Sequence, residues 1–566
     1  MDAIVEVGMT LNYVLDASCA KFAELPAIGM AMEEPLTYAV LQKRVFALAA
    51  YFLKLGVQKG DRIAILSENS HNWGIAYLAI VRIGAIAVPI LPDLPESDVH
   101  HILNEMQAKV LLLSQKQIDK VYELDSNLPA TVITLDDYSP GGGSTISVVA
   151  FSDCMEQALA DLDEDPTDPA FPAVGEEDLA SILYTSGTSG YSKAVMLTHK
   201  NLTANAYSAV ELVDVPTGAV WLSILPISHT YEFTCGFIVP LLCGARIAYA
   251  GKTPTPLILQ NICAREKPTI IFAVPLVMEK IYKKRVLPQI ENSVVLKMLC
   301  RFGASRRMIY RKIGRKLQSF FGGNLRLMGI GGAALNPDVE KFLHEAGFPY
   351  LIGYGMTEVS PLIAGGPAGD KSIVVGSTGK PVPGLEVKIV DPDPQTGIGE
   401  ITVCGPSVMK GYYDDEEETR AVLSADGWLS TGDMGYMDKR QNLVVCGRSK
   451  NVIVMPNGEN VYPEAIEHTI NKYSWVVESL VLENCGLLEA WVYPDYDVLD
   501  ESLARTSHNE RRRYIDELFE ETRIELNQQL PKTARLNKLL ERREPFIKTA
   551  THKIKRYLYS EHPLAG

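Results

Sequence analysis

Short apolar runs alternate with helix-patterned segments over roughly the first 400 residues, and this alternation constrains the fold more than any other feature. The runs "RIAIL" at 62–66, "KVLLL" at 109–113 and "IIFAV" at 270–274 have the length and composition of buried strands. Residues 38–56 repeat apolar side chains at helical spacing and end at a glycine. Strands that alternate with helices predict an α/β fold with largely parallel sheets.

The chain has 566 residues, which is too long for one compact core and predicts at least two domains. From about Gly447, short strand-like runs alternate with amphipathic helix-like segments, and a charged block follows at 508–530. That block predicts a solvated helix whose apolar face carries Tyr514, Leu518 and Ile524. We therefore expect a large N-terminal domain at 1–449 and a small C-terminal domain at 450–566.

One segment, at 74–91, is apolar over nearly 18 residues and resembles a membrane span in length. Arg82 lies in the middle of the run, and Gly84 and Pro89 interrupt it. These breaks predict a buried helix followed by a buried strand.

Charge and cysteine usage indicate the compartment and the partners. The net charge of −15 argues against nucleic acid as a partner. The nine cysteines form no CxxC pair, which is typical of reduced thiols in a cytosolic protein. The N-terminus starts acidic, with no basic region ahead of its apolar residues, so we expect no signal peptide and a cytoplasmic location.

A loop rich in small polar residues, "YTSGTSGYSKAVMLTHKN" at 184–201, follows the strand-like run "ASILY". It does not fit the P-loop pattern GxxxxGK[ST], because its glycines and lysine give GxxGxxK. Its hydroxyl groups, its glycines and its cation still suit an anion. From the residues alone, a flexible Ser/Gly surface loop competes with phosphate binding. The candidate residues are Thr185, Ser186, Gly187, Thr188, Ser189, Gly190 and Lys193.

The residue order in this loop resembles the phosphate loop of the adenylate-forming, AMP-binding enzymes. That family includes acyl- and aryl-CoA synthetases, peptide-synthetase adenylation domains and firefly luciferase. This sequence differs at Ser192, where the family usually has Pro, and at Ala194, where it usually has Gly. The resemblance implies that the loop binds the phosphates of ATP, with Thr188 also near Mg²⁺.

Three central stretches resemble the same family in the same order. "LSILPISHTYEFT" at 222–234 would place His229 and Tyr231 at an acyl pocket, although a lone histidine is more often simply packed. "GIGGAAL" at 329–335 resembles the turn that lies against adenine, at Gly332 and Ala333, although by itself it is an ordinary tight turn.

The third stretch, "GYGMTEVSP" at 353–361, is the most specific. The resemblance implies that Tyr354 stacks on adenine beside Gly355, that Thr357 contacts the α-phosphate and that Glu358 helps to hold Mg²⁺. An aromatic face, a hydroxyl and a hard carboxylate oxygen suit these three tasks.

Three later stretches complete the resemblance. "GWLSTGDMGYMD" at 427–438 implies that Asp433 binds the ribose hydroxyls, and the segment from Gly447 implies a ribose or phosphate contact at Arg448. Lys450 falls at the family's hinge, and Gly458 in the loop that swings toward the thiol substrate. "FIKTATHKIKRYLY" at 546–559 places Lys553 at the catalytic position, with His552 in place of the usual Gly.

The resemblance covers residues from about 36 to 559 and implies a fold and a reaction. The fold would have two α/β sheet subdomains and a small β-barrel-like piece, followed by a mobile α+β C-terminal domain. The reaction would join a fatty acid of medium to long chain to AMP, using ATP and Mg²⁺, and transfer the acyl group to coenzyme A. Lys553, Thr357 and Glu358 would be the catalytic residues. Weak peripheral membrane contact and a homodimer are compatible with this reading.

Alternatives remain open within and outside this class. The chain could stop at the acyl-adenylate, load an acyl-carrier protein, or activate an aryl or short-chain acid. From other classes, a luciferase-like oxygenase and a non-catalytic nucleotide-binding protein compete. The second is disfavoured because Lys193, Glu358, Asp433, Arg448 and Lys553 are all present.

Overall fold

The computed structural model describes residues 8–124, 129, 131–137, 148–164, 170–185, 193–251, 254–455, 460–503, 508–549 and 553–560. The described strands are, in chain order, β1 (Pro26–Met30), β2 (Leu36–Thr37), β3 (Arg62–Leu66), β4 (Ile86–Ile90), β5 (Val110–Leu113), β6 (Thr131–Thr134), β7 (Val148–Ala150), β8 (Leu179–Thr185), β9 (Lys193–Thr198), β10 (Val220–Ser223), β11 (Arg246–Tyr249), β12 (Ile270–Ala273), β13 (Leu327–Ile330), β14 (Tyr350–Ile352), β15 (Tyr354–Gly355), β16 (Leu362–Gly365), β17 (Lys380–Pro381), β18 (Glu386–Val390), β19 (Gly399–Cys404), β20 (Gly411–Tyr412), β21 (Leu429–Met437), β22 (Leu443–Arg448), β23 (Ile453–Val454), β24 (Asn460–Val461), β25 (Val476–Asn484), β26 (Leu487–Pro494) and β27 (Leu536–Glu541).

The described α-helices are α1 (Leu11–Phe22), α2 (Tyr38–Lys54), α3 (His71–Arg82), α4 (Glu96–Met106), α5 (Phe151–Glu164), α6 (His199–Val210), α7 (Val239–Cys243), α8 (Pro256–Glu266), α9 (Pro275–Ile281), α10 (Leu287–Glu291), α11 (Val294–Leu299), α12 (Gly303–Phe320), α13 (Pro337–Ala346), α14 (Glu416–Val422), α15 (Pro463–Ile470), α16 (Tyr496–Leu503), α17 (His508–Gln529) and α18 (Tyr557–Ser560). Two π-helical segments lie at Glu232–Ile238 and Tyr282–Val286, and short 3₁₀ helices at Gln115–Leu124, Thr357–Val359, Ser449–Asn451 and Lys532–Ala534.

Two large sheets form the bulk of the molecule. One has the strand order β20-β9-β8-β4-β3-β5-β6-β7, and its pairs are parallel from β8 to β7, whereas β9 runs antiparallel to both β8 and β20. The other has the order β14-β13-β12-β10-β11-β1-β2 and is parallel except at β2. Helices follow most parallel strands, because a parallel pair needs a crossover connection.

Aromatic side chains join the two sheets into one core. Trp73 and Tyr77, on the buried helix α3, stack at 5.4 Å between ring centroids. Phe233, on the π-helical segment after β10, lies 4.4 Å from the Tyr77 ring. Because these rings come from different layers, burying them stabilises both layers together.

Smaller antiparallel sheets follow. The strands β18-β19-β21-β22 form a four-stranded antiparallel sheet, and β15-β16-β17 form a three-stranded one. The resemblance implied a small β-barrel-like piece, and the described strands form these two open sheets in place of a barrel.

The C-terminal residues build a separate sheet with its own core. The strands β25, β26 and β27 pair in that order, and α15 and α17 pack against them. The buried members of this core all lie between Val461 and Leu539.

Helix α17 confirms the helix expected at 508–530 but not its apolar face. Tyr514 and Ile524 are exposed, whereas Leu518 is partly buried against the C-terminal core. The buried apolar side chains are Ile515, Phe519 and Leu526. These three residues follow the i, i+4, i+11 spacing of one helical stripe, and the predicted Tyr514 and Ile524 lie outside that stripe.

The expected α/β class and the expected helix and strand at 74–91 are confirmed, whereas the domain boundary at 449/450 stays a prediction. The chain is an α/β protein, and residues 74–91 contain most of helix α3 and all of strand β4, both largely buried. Within the described residues no helix has the length and apolar character needed to cross a bilayer. All nine cysteines are free thiols.

Candidate active site

The predicted phosphate loop is carried by two paired strands. β8 and β9 run antiparallel, and Thr185 faces Lys193 in the last described pair. Residues 186–192 lie outside the described residues, so the predicted contacts of Ser186, Gly187, Thr188, Ser189 and Gly190, and the departure at Ser192, are not placed by the structure. The strand pair nevertheless fixes where the loop begins and ends.

Lys193 is held by two neighbours that the sequence analysis did not single out. Its ammonium group forms an ion pair with Glu418 on α14 at 2.5 Å, and it lies 4.7 Å from the centroid of the Tyr412 ring. The hydrogen bond from Lys193 lowers the pKa of the Glu418 carboxyl below its usual range.

Tyr412 links Lys193 to Glu358. The Tyr412 hydroxyl donates a hydrogen bond of 3.0 Å to Oε1 of Glu358, and both side chains are buried. Burial, followed by the Glu358 charge, raises the pKa of Tyr412, so the phenol stays protonated and remains a donor. A predicted phosphate ligand and a predicted metal ligand are therefore joined through one aromatic residue.

The backbone that carries Thr357 and Glu358 is fixed by neighbouring elements. The Asn205 side chain donates to the carbonyl groups of Val359 and Leu362 at 3.1 and 2.8 Å. Gly355 cannot be replaced without a backbone shift, because a Cβ there would lie 2.0 Å from the carbonyl oxygen of Pro361. The Thr230 hydroxyl donates to the Thr357 hydroxyl at 3.3 Å.

Tyr354, Asp433 and Arg448 form a second group. The Tyr354 hydroxyl donates to Oδ2 of Asp433 at 2.6 Å, and Nε of Arg448 lies 2.8 Å from Oδ1. Strands β21 and β22 place the last two residues directly opposite one another. Burial raises the pKa of Asp433, while Arg448, Tyr354 and Lys553 oppose that rise.

Lys553 comes from the far end of the chain to the same place. The backbone N–H of Thr549 donates to the Lys553 carbonyl at 2.8 Å, and the Lys553 N–H donates back to the Thr549 hydroxyl at 3.2 Å. Lys553 is exposed by surface area, although the protein atoms around its ammonium group still desolvate the charge. Burial, and then the charge of Arg448, lowers the pKa of Lys553, while Asp433 and Glu358 act in the opposite direction.

His229 and Tyr231 lie beside this group, just ahead of the π-helical segment. Nδ1 of His229 accepts a hydrogen bond from the Tyr231 N–H at 3.2 Å. Burial, with a contribution from Lys553, lowers the pKa of His229 to about 4, so the ring is neutral at neutral pH. The Tyr231 ring packs edge-on against Phe272 at 5.3 Å.

The predicted adenine turn follows strand β13. Gly332 has a φ of 86°, which favours glycine, and a Cβ there would meet no atom nearer than 3.8 Å, on Val274. Ala333 is exposed next to it. An open glycine turn at the end of strand β13 allows a flat ring to approach the backbone.

The predicted hinge residue, Lys450, is exposed in the short helix Ser449–Asn451, and its charge contributes to the low pKa of Glu418. Gly458 and His552 lie outside the described residues.

The structure thus brings Thr357, Glu358, Asp433, Arg448 and Lys553 to one place, with His229 at its edge. Sequence reasoning missed Tyr412, Glu418 and Thr230. "KGYYDDEEETR" at 410–420 holds two adjacent tyrosines and several acids, and nothing in its pattern separates Tyr412 or Glu418 from their neighbours.

Comparison with known proteins identifies the class. The model of the family described as AMP-binding enzyme matches residues 15–413. A protein named long chain acyl-CoA synthetase 7, peroxisomal, from Arabidopsis thaliana is 31% identical over 480 residues, which cover 79% of this chain and 66% of that protein. A long-chain-fatty-acid–CoA ligase of Mycobacterium bovis, FadD15, is 30% identical over 79% of this chain and 75% of its own.

The fold is similar to that of solved structures as well. The crystal structure of ATP-bound MatB from Rhodopseudomonas palustris superposes with a TM-score of 0.73 at 25% identity, covering 97% of this chain and 98% of the other. The chain belongs to the family of AMP-binding enzymes. The recognition from the motifs is confirmed, and so is the expectation that the chain is an adenylate-forming enzyme of the acyl-CoA ligase class.

Proposed function

We propose that this enzyme activates a fatty acid of medium to long chain with ATP and transfers the acyl group to coenzyme A. One observation carries the proposal: Lys553, from the C-terminal segment, lies close enough to Glu358, Asp433 and Arg448 for their charges to change the pKa of its ammonium group. These four residues come from distant parts of the sequence, and in this arrangement they suit a nucleotide whose α-phosphorus is attacked.

The charges of the site fit a polyanion. Lys193, Arg448 and Lys553 supply three cations, and the mutual effect of Arg448 and Lys553 lowers the pKa of the lysine. A phosphate group between two cations would relieve that repulsion. The ATP seen in the MatB structure supports ATP as the substrate here.

We assign the first half-reaction to the following contacts. The fatty acid carboxylate attacks the α-phosphorus of ATP, an acyl–AMP bond forms, and pyrophosphate leaves with the electrons of the broken P–O bond. Lys553 and Thr357 would neutralise charge on the α-phosphate, and Lys193 with the loop after Thr185 would hold the departing phosphates. Asp433, oriented by Tyr354 and Arg448, would bind the ribose.

Glu358 fits the role of a magnesium ligand. One carboxylate oxygen accepts from Tyr412, and this hydrogen bond orients the group. When bound, Mg²⁺ would neutralise phosphate charge as a Lewis acid. Thr188 stays a predicted second ligand.

For the second half-reaction we propose that residues 450–566 move as a unit about Lys450. The separate C-terminal core supports this division. Rotation would withdraw Lys553 and bring the loop at Gly458 toward the acyl-adenylate, where the coenzyme A thiol attacks the acyl carbon and AMP leaves. The cytoplasmic location stays a prediction.

The choice of acid rests on two supports. Residues 228–251 resemble the long-chain branch, and the Arabidopsis and Mycobacterium relatives are named as long-chain enzymes. A panel of acids from acetate to stearate, with aryl acids, each assayed with coenzyme A or a carrier protein, would distinguish the candidate reactions. Preference for an aryl acid, or transfer only to the carrier protein, would refute this part of the proposal.

The decisive test measures the half-reactions separately. Lys553→Ala should abolish acid-dependent ATP–pyrophosphate exchange and leave thioester formation from added acyl-adenylate intact. Lys548→Ala is the matched control, because Lys548 lies on the same segment and pairs with Glu478 within the C-terminal domain. Normal exchange in Lys553→Ala, or pyrophosphate release without any acid, would contradict the assignment.

A further inference from the structure

Exposed apolar side chains are concentrated around helix α11 and the start of α12. Val294 is 84% exposed, and Val295, Met298, Phe302 and Met308 are each more than half exposed. Among the described residues, these five belong to a group of only eight large apolar side chains that are exposed to this extent. They fall within fifteen residues of sequence, on α11, the turn after it and the start of α12, and because these two helices contact one another we group the side chains as one patch.

The same patch is strongly basic in an acidic protein. Residues 283–316 contain eleven Lys or Arg and one acidic residue, Glu291, whereas the whole chain has a net charge of −15. On α12 the exposed cations follow helical spacing, with Arg307, Arg311 and Arg315 in one row and Lys312 and Lys316 in the next. We call these exposed apolar and cationic side chains of 294–316 the basic-apolar patch.

Packing on the opposite side holds the patch in this orientation. Ile313, Leu317 and Phe320 are buried in the core of the β12 sheet. Arg306 forms a bidentate ion pair with Glu345 on α13, at 2.7 Å for each contact. The Ser305 hydroxyl donates to the carbonyl groups of Leu299 and Phe302, which fixes the corner between the two helices and keeps Phe302 at its tip.

The patch belongs to the subdomain that carries the predicted acyl pocket. Strand β12 precedes the basic-apolar patch in the sequence, and its Phe272 packs against Tyr231 of the predicted acyl pocket. Val274, one residue beyond β12, lies against the predicted adenine turn at Gly332.

We propose that the basic-apolar patch docks this enzyme on an anionic lipid bilayer, with the apolar side chains inserted among the headgroups. This inference rests on the proposed function, because a fatty acid substrate partitions into the bilayer. Cations alone would also suit a nucleic acid, but Val294, Phe302 and Met308 would then stay in water. A lipid surface satisfies both features, since acyl chains accept apolar side chains and anionic headgroups attract Lys and Arg. The acidic remainder of the protein would be repelled, so only one face can approach.

The test is sedimentation of the full-length protein with vesicles, without any substrate. Phosphatidylcholine vesicles are compared with vesicles that also contain phosphatidylglycerol, over a salt series. The native protein should bind the anionic vesicles and be partly released by salt. Arg311→Gln, Lys312→Gln, Arg315→Gln and Lys316→Gln combined should weaken this binding about 100-fold or more. Val295→Ser, Met298→Ser and Phe302→Ser combined should remove the fraction that resists salt.

Matched controls remove exposed groups elsewhere. The first combines Lys116→Gln, Lys371→Gln, Lys439→Gln and Arg440→Gln, and the second is Leu487→Ser; all five residues are exposed. Both controls should bind vesicles like the native protein, and all variants should keep ligase activity on a soluble acid such as octanoate. Absence of binding to anionic vesicles, or native-like binding by the four-cation variant, would overturn the proposal. Absence of ligase activity in the native protein would instead refute the proposed function. The two failures are distinguishable, because the vesicle assay measures binding without catalysis.

Discussion

The hydroxyl of Tyr412 donates a 3.0 Å hydrogen bond to the carboxylate of Glu358. Tyr412 pairs with Val195 of β9, next to the predicted phosphate loop, while Glu358 belongs to the segment that follows the predicted adenine contact. The bond therefore connects two parts of the site that are far apart in sequence. It restricts Glu358 to one orientation before any metal or nucleotide arrives.

Tyr412→Phe should lower the efficiency of the adenylation step by about 10- to 100-fold, the usual cost of losing a hydrogen bond to a charged group. The loss should be largest at low Mg²⁺, because a carboxylate without its orienting donor binds the metal less well. ATP–pyrophosphate exchange measured against Mg²⁺ concentration checks this. Tyr413→Phe is the control on the neighbouring residue. A uniform loss at every Mg²⁺ concentration would indicate a purely structural role for Tyr412.

Glu418→Gln should lower the KM for ATP by a factor of about two to five, which matches the small free energy of an exposed ion pair. The reason is competition: Lys193 must leave the Glu418 carboxylate, which is 49% exposed, to reach a phosphate. Initial rates over a range of ATP concentrations measure the change. Glu416→Gln is the control, because Glu416 lies on the same helix and pairs with Arg420. An increase in KM would show that Glu418 orients Lys193 for phosphate.

Asp433→Asn should weaken ATP binding by about 10- to 100-fold, because the amide cannot accept from both of its present donors. Tyr354 and Arg448 each donate to a different carboxylate oxygen, and the amide nitrogen would face one of these donors. Equilibrium binding of ATP is the direct measurement. Asp438→Asn is the control farther along the same segment, since its carboxylate accepts from Arg440 and Asn442 in the local turn. Unchanged affinity in Asp433→Asn would remove the ribose assignment.

The general architecture and the ordered motifs could be predicted from the sequence because both are local patterns. Buried strands such as β3 are contiguous apolar runs, and Thr357, Glu358 and Asp433 stand in short, specific motifs. The apolar face of α17 was misplaced because tyrosine and isoleucine at 514 and 524 are apolar by type but exposed by position. Only the packing of α17 against β27 decides which stripe is buried.

Tyr412 and Glu418 could not be found for a different reason. Their partners, Glu358 and Lys193, lie 54 and 225 residues away in the sequence. A hydrogen bond between distant segments leaves no periodic or local signature in the sequence. The sheet pairing of β20 with β9 creates both contacts, and that pairing is a property of the fold.

Glu232 provides a prediction about stability. Its side chain is fully buried in the π-helical segment, Oε2 has no hydrogen-bond partner among the described residues, and a Cβ at Gly236 would lie 2.7 Å from its carboxyl carbon. Burial raises the pKa of Glu232 to about 8, while a hydrogen bond from Ser223 opposes the rise. The folded protein therefore keeps the carboxyl protonated at pH values where the unfolded chain, with its ordinary pKa near 4.5, has lost the proton.

The unfolding free energy of the native protein should therefore fall as the pH rises from about 4.5 to about 8, because in this range folding requires the Glu232 carboxyl to take up a proton. Glutamine does not titrate, so Glu232→Gln should become more stable relative to the native protein over the same range. Below this window the two proteins should differ by a small constant amount, and above it the difference should level off. Within it the native protein loses up to about 1.4 kcal/mol of unfolding free energy for each pH unit, relative to the variant. Urea unfolding of both proteins at several pH values measures the difference. Glu105→Gln makes the same substitution at an exposed glutamate that accepts from Tyr184, and it serves as the control. A difference for Glu232→Gln that stays flat between pH 4.5 and 8 would mean that the buried carboxylate is already ionised in the folded protein.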